Sequence, residues 1–146
     1  MLPALWYVLS SNFVSFNVMS SSSPLPSFLA IVDDDPRVRS LLALTLEDYG
    51  VQADFYENSF DLLEAVSSTN PKLILVDLMM PHMDGIECCR RLRSLGFTGG
   101  LLVVSALLDQ QIVDSALVAG ADAYFCKSEI FDQLPSVLTR YGCITT

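Results

Sequence analysis

Five chemically capable side chains in this sequence follow closely on short apolar runs. Asp33 and Asp34 follow Phe28–Val32, Asp77 follows Leu73–Val76, Ser105 follows Leu101–Val104, and Lys127 lies just beyond Ala123–Phe125. Carboxylates, a hydroxyl and an ammonium are the groups with which a protein handles a phosphoryl group. Taken singly, each has a blander reading: acids cap helices and lysines are solvated. Four separate runs ending in such groups outweigh that reading, provided the fold brings the ends together. If the first and third runs lie side by side, three carboxylates crowd. Each like-charged pair at 4 Å then costs about 4 kcal/mol at an effective dielectric of 20. A cation must sit among them. Hard oxygen donors with no histidine or cysteine nearby favour Mg²⁺, which accepts phosphate oxygens as further ligands.

The elements that must position these groups alternate between apolar runs and helical periodicity, five times over. This is the pattern of repeated βα units. Asp35 suits an N-cap with Pro36 at the first helical position, and Val38, Leu41, Leu42, Thr45 and Leu46 gather one face of a helix that Gly50 closes. A second strand, Ala53–Tyr56, precedes a helix capped by Ser59 with Leu62, Leu63 and Val66 inward. After the central strand, Met80-Pro81 breaks regular structure and Asp84-Gly85 signals a turn. A third helix then carries Ile86, Cys89, Leu92 and Leu95 as far as Gly96. The fourth helix carries Ile112, Val113, Ala116 and Leu117. Leu134, Leu138 and Tyr141 mark the last, which Pro135 predicts to start near Gln133 with Asp132 as its cap. Right-handed crossovers make this a doubly wound α/β fold, a five-stranded parallel sheet whose ligand site lies beyond the carboxyl ends of its strands.

The chain has 146 residues, enough for one core and a short appendage. At 51% hydrophobic and 17% charged it is globular in composition, and a net charge of −9 disfavours direct nucleic-acid contact. Residues 1–27 carry no charge and end in a Ser/Pro-rich stretch, which predicts a disordered extension before a domain at 28–141 and a short tail at 142–146. Met1–Met19 is apolar, but Pro3, Ser10, Ser11, Asn12, Ser15 and Asn17 dilute it, so a membrane anchor is the minor reading. Cys88 and Cys89 are adjacent, Cys126 and Cys143 are isolated, and no zinc spacing is present. A reduced, cytoplasmic chain fits best.

The motifs VDDDP at Val32–Pro36, LVDLMMPHMDG at Leu75–Gly85, VSA at Val104–Ala106 and GADAYFCK at Gly120–Lys127 together resemble the receiver domain of two-component response regulators. The resemblance covers Phe28 to about Tyr141. It implies a flavodoxin-like (βα)5 sheet of strand order 2-1-3-4-5. It also implies that Asp77 accepts a phosphoryl group from a histidine kinase or histidine phosphotransfer protein. By the same match Asp34, Asp77 and the main-chain carbonyl of Met79 bind Mg²⁺, with Asp33 contributing directly or through water, while Asp35 has no such role. Ser105 would hydrogen-bond the attached phosphoryl group and Lys127 would screen its charge. Tyr124, three residues before the lysine, would follow Ser105 in a switch of the face formed by the fourth helix, fifth strand and fifth helix. That switch would bind a downstream protein target or drive an output domain, and it leaves phosphorylation-dependent homodimerisation open.

The sequence also departs from the family pattern. Ser128 replaces the usual proline after the lysine, which predicts a trans peptide and a differently shaped loop. Met79 and Leu107, at positions that help set dephosphorylation rates in the family, are apolar and predict slow loss of phosphate. His82 reads as a solvated loop residue. Two rival readings stand beside a stand-alone receiver that is not an enzyme in the turnover sense. One is the N-terminal fragment of a DNA-binding transcriptional regulator. The other is a Mg²⁺-dependent phosphatase of the haloacid-dehalogenase-like type, whose D-x-D-x-[TV] pattern Asp33 and Asp35 fit and Arg37 does not.

Overall fold

A computed structural model describes residues 28–80, 83–106 and 109–144. The expectations for residues 1–27, Pro81, His82, Leu107 and the end of the tail lie outside the described residues. Five strands, β1 (Leu29–Val32), β2 (Ala53–Tyr56), β3 (Leu73–Asp77), β4 (Gly100–Ser105) and β5 (Ala123–Cys126), alternate with five helices. These are α1 (Pro36–Asp48), α2 (Ser59–Thr69), α3 (Gly85–Ser94), α4 (Gln110–Val118) and α5 (Lys127–Arg140). The strands form one parallel sheet in the order β2-β1-β3-β4-β5. This is the doubly wound, flavodoxin-like arrangement.

Strand side chains alternate between two cores because successive Cβ atoms point to opposite faces of a sheet. Ala30, Val32, Ile74, Val76, Leu101 and Val103 pack with Leu62, Cys89, Leu92 and Ala116 beneath α2, α3 and α4. Leu29, Ile31, Leu73, Leu75 and Leu102 pack with Leu42, Leu46, Leu134 and Leu138 beneath α1 and α5. Burial on both faces explains why β1, β3 and β4 read as unbroken apolar runs. Each of the first four helices starts at a side-chain cap. The Asp35 carboxylate accepts the Arg37 N–H at 2.9 Å, Asp84 accepts that of Glu87 at 2.9 Å, and Asp109 accepts that of Gln111 at 2.8 Å.

Several local expectations need correction. The cap of α2 is Asn58, whose side chain accepts the Asp61 N–H at 2.9 Å, so Ser59 is the first helical residue. Leu41, Leu95 and Leu117 are 51%, 57% and 44% exposed, because the apolar stripes of their helices are wider than the sheet surface each helix covers. Cys88, not Leu95, completes the buried face of α3. The largest departure is α5. It begins at Lys127, six residues before Gln133, and contains Pro135. An internal proline costs about 3 kcal/mol. Ile130, Leu134, Val137 and Leu138, all buried on one face, each contribute about 1.5–3 kcal/mol and outweigh it. With no cis peptide among the described residues, Lys127 opens this helix directly, and no separate loop follows it.

Candidate functional site

Register builds the site. Val32 of β1 pairs with Val76 of β3, so the residues that follow, Asp33 and Asp77, leave the sheet side by side. Asp77 pairs with Val104 and Ser105 with Cys126, which carries Ser105 and Lys127 to the same carboxyl edge. Asp33, Asp77 and Ser105 are buried, at 4%, 3% and 0% exposure, whereas Asp34 is exposed. Carboxylate oxygens of Asp33, Asp34 and Asp77 lie within 4.8 Å of one another. The ammonium of Lys127 is 3.1 Å from Asp33 Oδ2 and 3.5 Å from Asp77 Oδ2.

The two buried acids are held in the same way. Asp33 Oδ1 accepts the Asp35 N–H at 2.9 Å, and Asp77 Oδ1 accepts the Met79 N–H at 3.2 Å. Each carboxylate thus uses one oxygen to fold the chain back two residues on and turns the other toward Lys127. Burial, and then the charge of Asp33, push the Asp77 carboxyl up to about 6; Lys127 and the Met79 N–H oppose the rise, and Asp34 adds to it. Burial alone would lower the Lys127 ammonium, but the Asp77 and Asp33 carboxylates outweigh it and hold its pKa above the ordinary value.

Three carboxylates face one ammonium here, so the pocket carries excess negative charge that its own residues do not cancel. Hard oxygen donors in excess over cationic side chains fit a divalent Mg²⁺. Ser105, buried at the end of β4, adds a hydroxyl at the same edge. Tyr124 is half-buried on β5 and packs toward the α2–α3–α4 core. Met79 turns its side chain outward, 59% exposed, while its main chain stays folded over Asp77.

Three further contributors carry no local sequence signal for this role. The main-chain N–H of Asp35 belongs to the pocket although its carboxylate serves as a helix cap. Arg39 Nη1 donates to the Asp33 carbonyl oxygen at 2.7 Å and fixes that strand end from one turn into α1. Gly85 reads as a turn residue, yet its stronger constraint is proximity: a Cβ there would stand 2.6 Å from Asp77 O and 2.7 Å from Leu78 Cα. Only glycine lets α3 start this close to the end of β3.

Comparison with known proteins agrees with this arrangement. The family model described as response regulator receiver domain matches residues 29–139. Response regulator MprA of Mycobacterium sp. (strain KMS) is 33% identical over 120 residues, covering 80% of this chain and 52% of the relative. MprA of Mycobacterium ulcerans is 35% identical over 116 residues, covering 77% and 50%. The chain therefore spans about half the length of the curated relatives it matches. Among solved structures, the BeF3-activated N-terminal receiver domain of Klebsiella pneumoniae RstA is similar, with a TM-score of 0.72 and 26% identity over 77% of this chain and 96% of that one. The signal receiver domain of NarL from Mycobacterium tuberculosis gives a TM-score of 0.71 at 26% identity, covering 82% and 98%. A family match over most of the described residues, on this sheet and with these strand ends, means that the chain belongs to the response regulator receiver-domain family.

Proposed function

We propose that Asp77 accepts a phosphoryl group from the phosphohistidine of a histidine kinase or phosphotransfer protein. The observation that carries this reading is the pairing of two buried acids with Lys127 at the carboxyl edge of β1 and β3. A carboxyl with a pKa of about 6 is mostly ionised at neutral pH, so Asp77 is available as a nucleophile. Its oxygen forms the new P–O bond as the P–N bond to histidine breaks, and the imidazole departs with that electron pair. Asp33, Asp34, Asp77 and the Met79 carbonyl are the groups that would hold Mg²⁺. When bound, the ion offsets carboxylate charge and screens the phosphoryl oxygens. Lys127 stands between Asp33 and Asp77, placed to pair with a phosphoryl oxygen on Asp77. Ser105 supplies a hydroxyl donor, and inward movement of β4's end would draw Tyr124 with it and alter the α4–β5–α5 face. Met79 offers the pocket mouth no polar side-chain atom to orient a water, so the acyl phosphate is long-lived.

The output is a protein–protein event on that face, and the chain itself makes no nucleic-acid contact. A second reading is favoured by the half-length coverage of the MprA relatives: the domain is the receiver part of a longer regulator, whose remainder would carry an output function such as DNA binding. Free cysteines at Cys88, Cys89, Cys126 and Cys143 support a reducing, cytoplasmic setting. Among the described residues no helix is long and apolar enough to cross a membrane.

Counting phosphate separates this function from the phosphatase alternative. With a small acyl phosphate and Mg²⁺, one equivalent is taken up per chain and then released slowly. Rapid multiple turnover of phosphomonoesters, lost on Asp33→Asn and kept on Asp77→Asn, would overturn the reading in favour of a phosphatase.

A further inference from the structure

Ile31 packs on the α1–α5 side of β1 and Val32 on the other. Continued for two more residues, that alternation would set Asp33 beside Asp77 and aim Asp34 away from both. The chain does otherwise. It bends at Asp34, and the Asp34 carboxylate lies within 4.8 Å of those of Asp33 and Asp77. Three like charges drawn together resist such a bend, so a contact has to hold it.

The peptide between Asp33 and Asp34 is gripped at its carbonyl. Arg39 Nη1 donates to the Asp33 oxygen at 2.7 Å, the short length of a charge-assisted bond. Its reach is set by α1. The Arg39 N–H donates to the Asp35 carbonyl oxygen at 3.1 Å, the first bond of the helix, and Pro36 stiffens the turn between them. The other contact of the guanidinium, to Glu57 at 3.8 Å, meets a largely exposed carboxylate and adds little.

We propose that Arg39 is a positioning residue: its grip on the Asp33 carbonyl holds the bend that gathers Asp34 with Asp33 and Asp77, and it thereby sets the cation affinity of a pocket to which it gives no ligand. The proposal rests on the reading of the three acids as a Mg²⁺ site. Sign separates this role from a charge effect. Removing a positive charge beside a cation site strengthens cation binding, whereas releasing the bend weakens it.

Two measurements on the full chain test it. By calorimetry, Arg39→Met weakens Mg²⁺ binding about tenfold, the size expected when a group that orients metal ligands is lost. Arg39→Lys, which keeps a donor for the carbonyl, recovers most of that affinity. Arg37→Met removes the same charge from the same turn of α1 and leaves binding unchanged or slightly tighter. In metal-free protein, hydrogen exchange reads the bend directly. The Asp35 N–H, which donates to Asp33 Oδ1 at 2.9 Å, loses protection in Arg39→Met, while the Asp33 N–H, bonded to the Tyr56 oxygen at 3.1 Å on the near side of the gripped peptide, keeps it. Should Arg39→Met be too unstable to measure, Arg39→Gln, too short to reach the carbonyl, carries the same expectations. Unchanged or tighter Mg²⁺ binding in Arg39→Met overturns the proposal, as does an equal loss in Arg37→Met. Retained Asp35 protection overturns it whatever the affinity. A parent that binds no Mg²⁺ defeats the reading of the pocket instead, and the exchange of Asp35 against Asp33 then decides the role of Arg39 by itself.

Discussion

Opposite edges of the sheet each hold aspartate beside a cationic side chain, and only one of the two clusters is complete. At the amino edge Arg93 is 3.2 Å from Asp122 and also donates to the carbonyl oxygens of Phe97, Gly99 and Gly120. Asp122 in turn accepts the Leu101 N–H at 2.9 Å. One positive charge meets one negative charge, and the remaining donors of Arg93 find main-chain oxygens. At the carboxyl edge Lys127 meets Asp33 and Asp77, with Asp34 close by. The first cluster ties α3 to the loops before β4 and β5. The second keeps negative charge that a bound cation or a chemical step has to resolve. Charge balance thus separates a satisfied cluster from an unsatisfied one, each built of acids beside a cationic side chain.

The largest expected effect comes from removing the cation at the incomplete edge. Lys127→Met leaves two buried carboxylates with no side-chain cation between them and costs about 3 kcal/mol in metal-free urea unfolding at pH 8. Millimolar Mg²⁺ restores much of that loss. Arg93→Met, at the complete edge, costs about 2 kcal/mol by the same measurement, and Mg²⁺ restores none of it. Equal responses of the two variants to Mg²⁺ would erase the contrast. Gly85→Ala, which forces a methyl group against the main chain of Asp77 and Leu78, costs a further-reaching but similar amount, about 2 kcal/mol. It also weakens Mg²⁺ binding by calorimetry, although it adds no charge.

The smallest effect has the opposite sign. The Asp77 carboxyl rises from 3.8 to about 6 on folding, so its contribution to stability is fully present below pH 4 and is lost as pH rises through 6. Asp77→Asn removes that liability but also the attraction to Lys127. In metal-free protein at pH 7 it is expected to stabilise the domain by about 1–2 kcal/mol, a gain that vanishes below pH 4. A variant less stable than the parent at pH 7 would mean that the three acids do not crowd as described.

Much of this architecture was legible because it rests on local pattern. Doubly covered strands read as apolar runs, and polar residues stop them where they emerge, so Asp33, Asp77 and Ser105 could be placed at one edge before any coordinates. The start of α5 was not legible. Proline chemistry argues locally, whereas the burial of Ile130, Leu134, Val137 and Leu138 that overrides it is decided by the sheet beneath. Arg39, Gly85 and Arg93 were missed for a related reason. Most of their partners are main-chain atoms, in the case of Arg93 as far as 27 residues away, and main-chain atoms leave no mark in residue type. Leu41 was expected inward and is half-exposed, since periodicity defines a stripe but not how much of it a neighbour covers.

The central claim is that Asp77 is the residue on which the carboxyl edge acts. Intact mass of the full chain, after incubation with a small acyl-phosphate donor and Mg²⁺, tests it most directly. The parent gains the mass of one phosphoryl group, and Asp77→Asn, folded and otherwise unchanged, gains none. An equal gain in both proteins, or a modified peptide containing Asp33 and Asp34 in place of Asp77, would contradict the account.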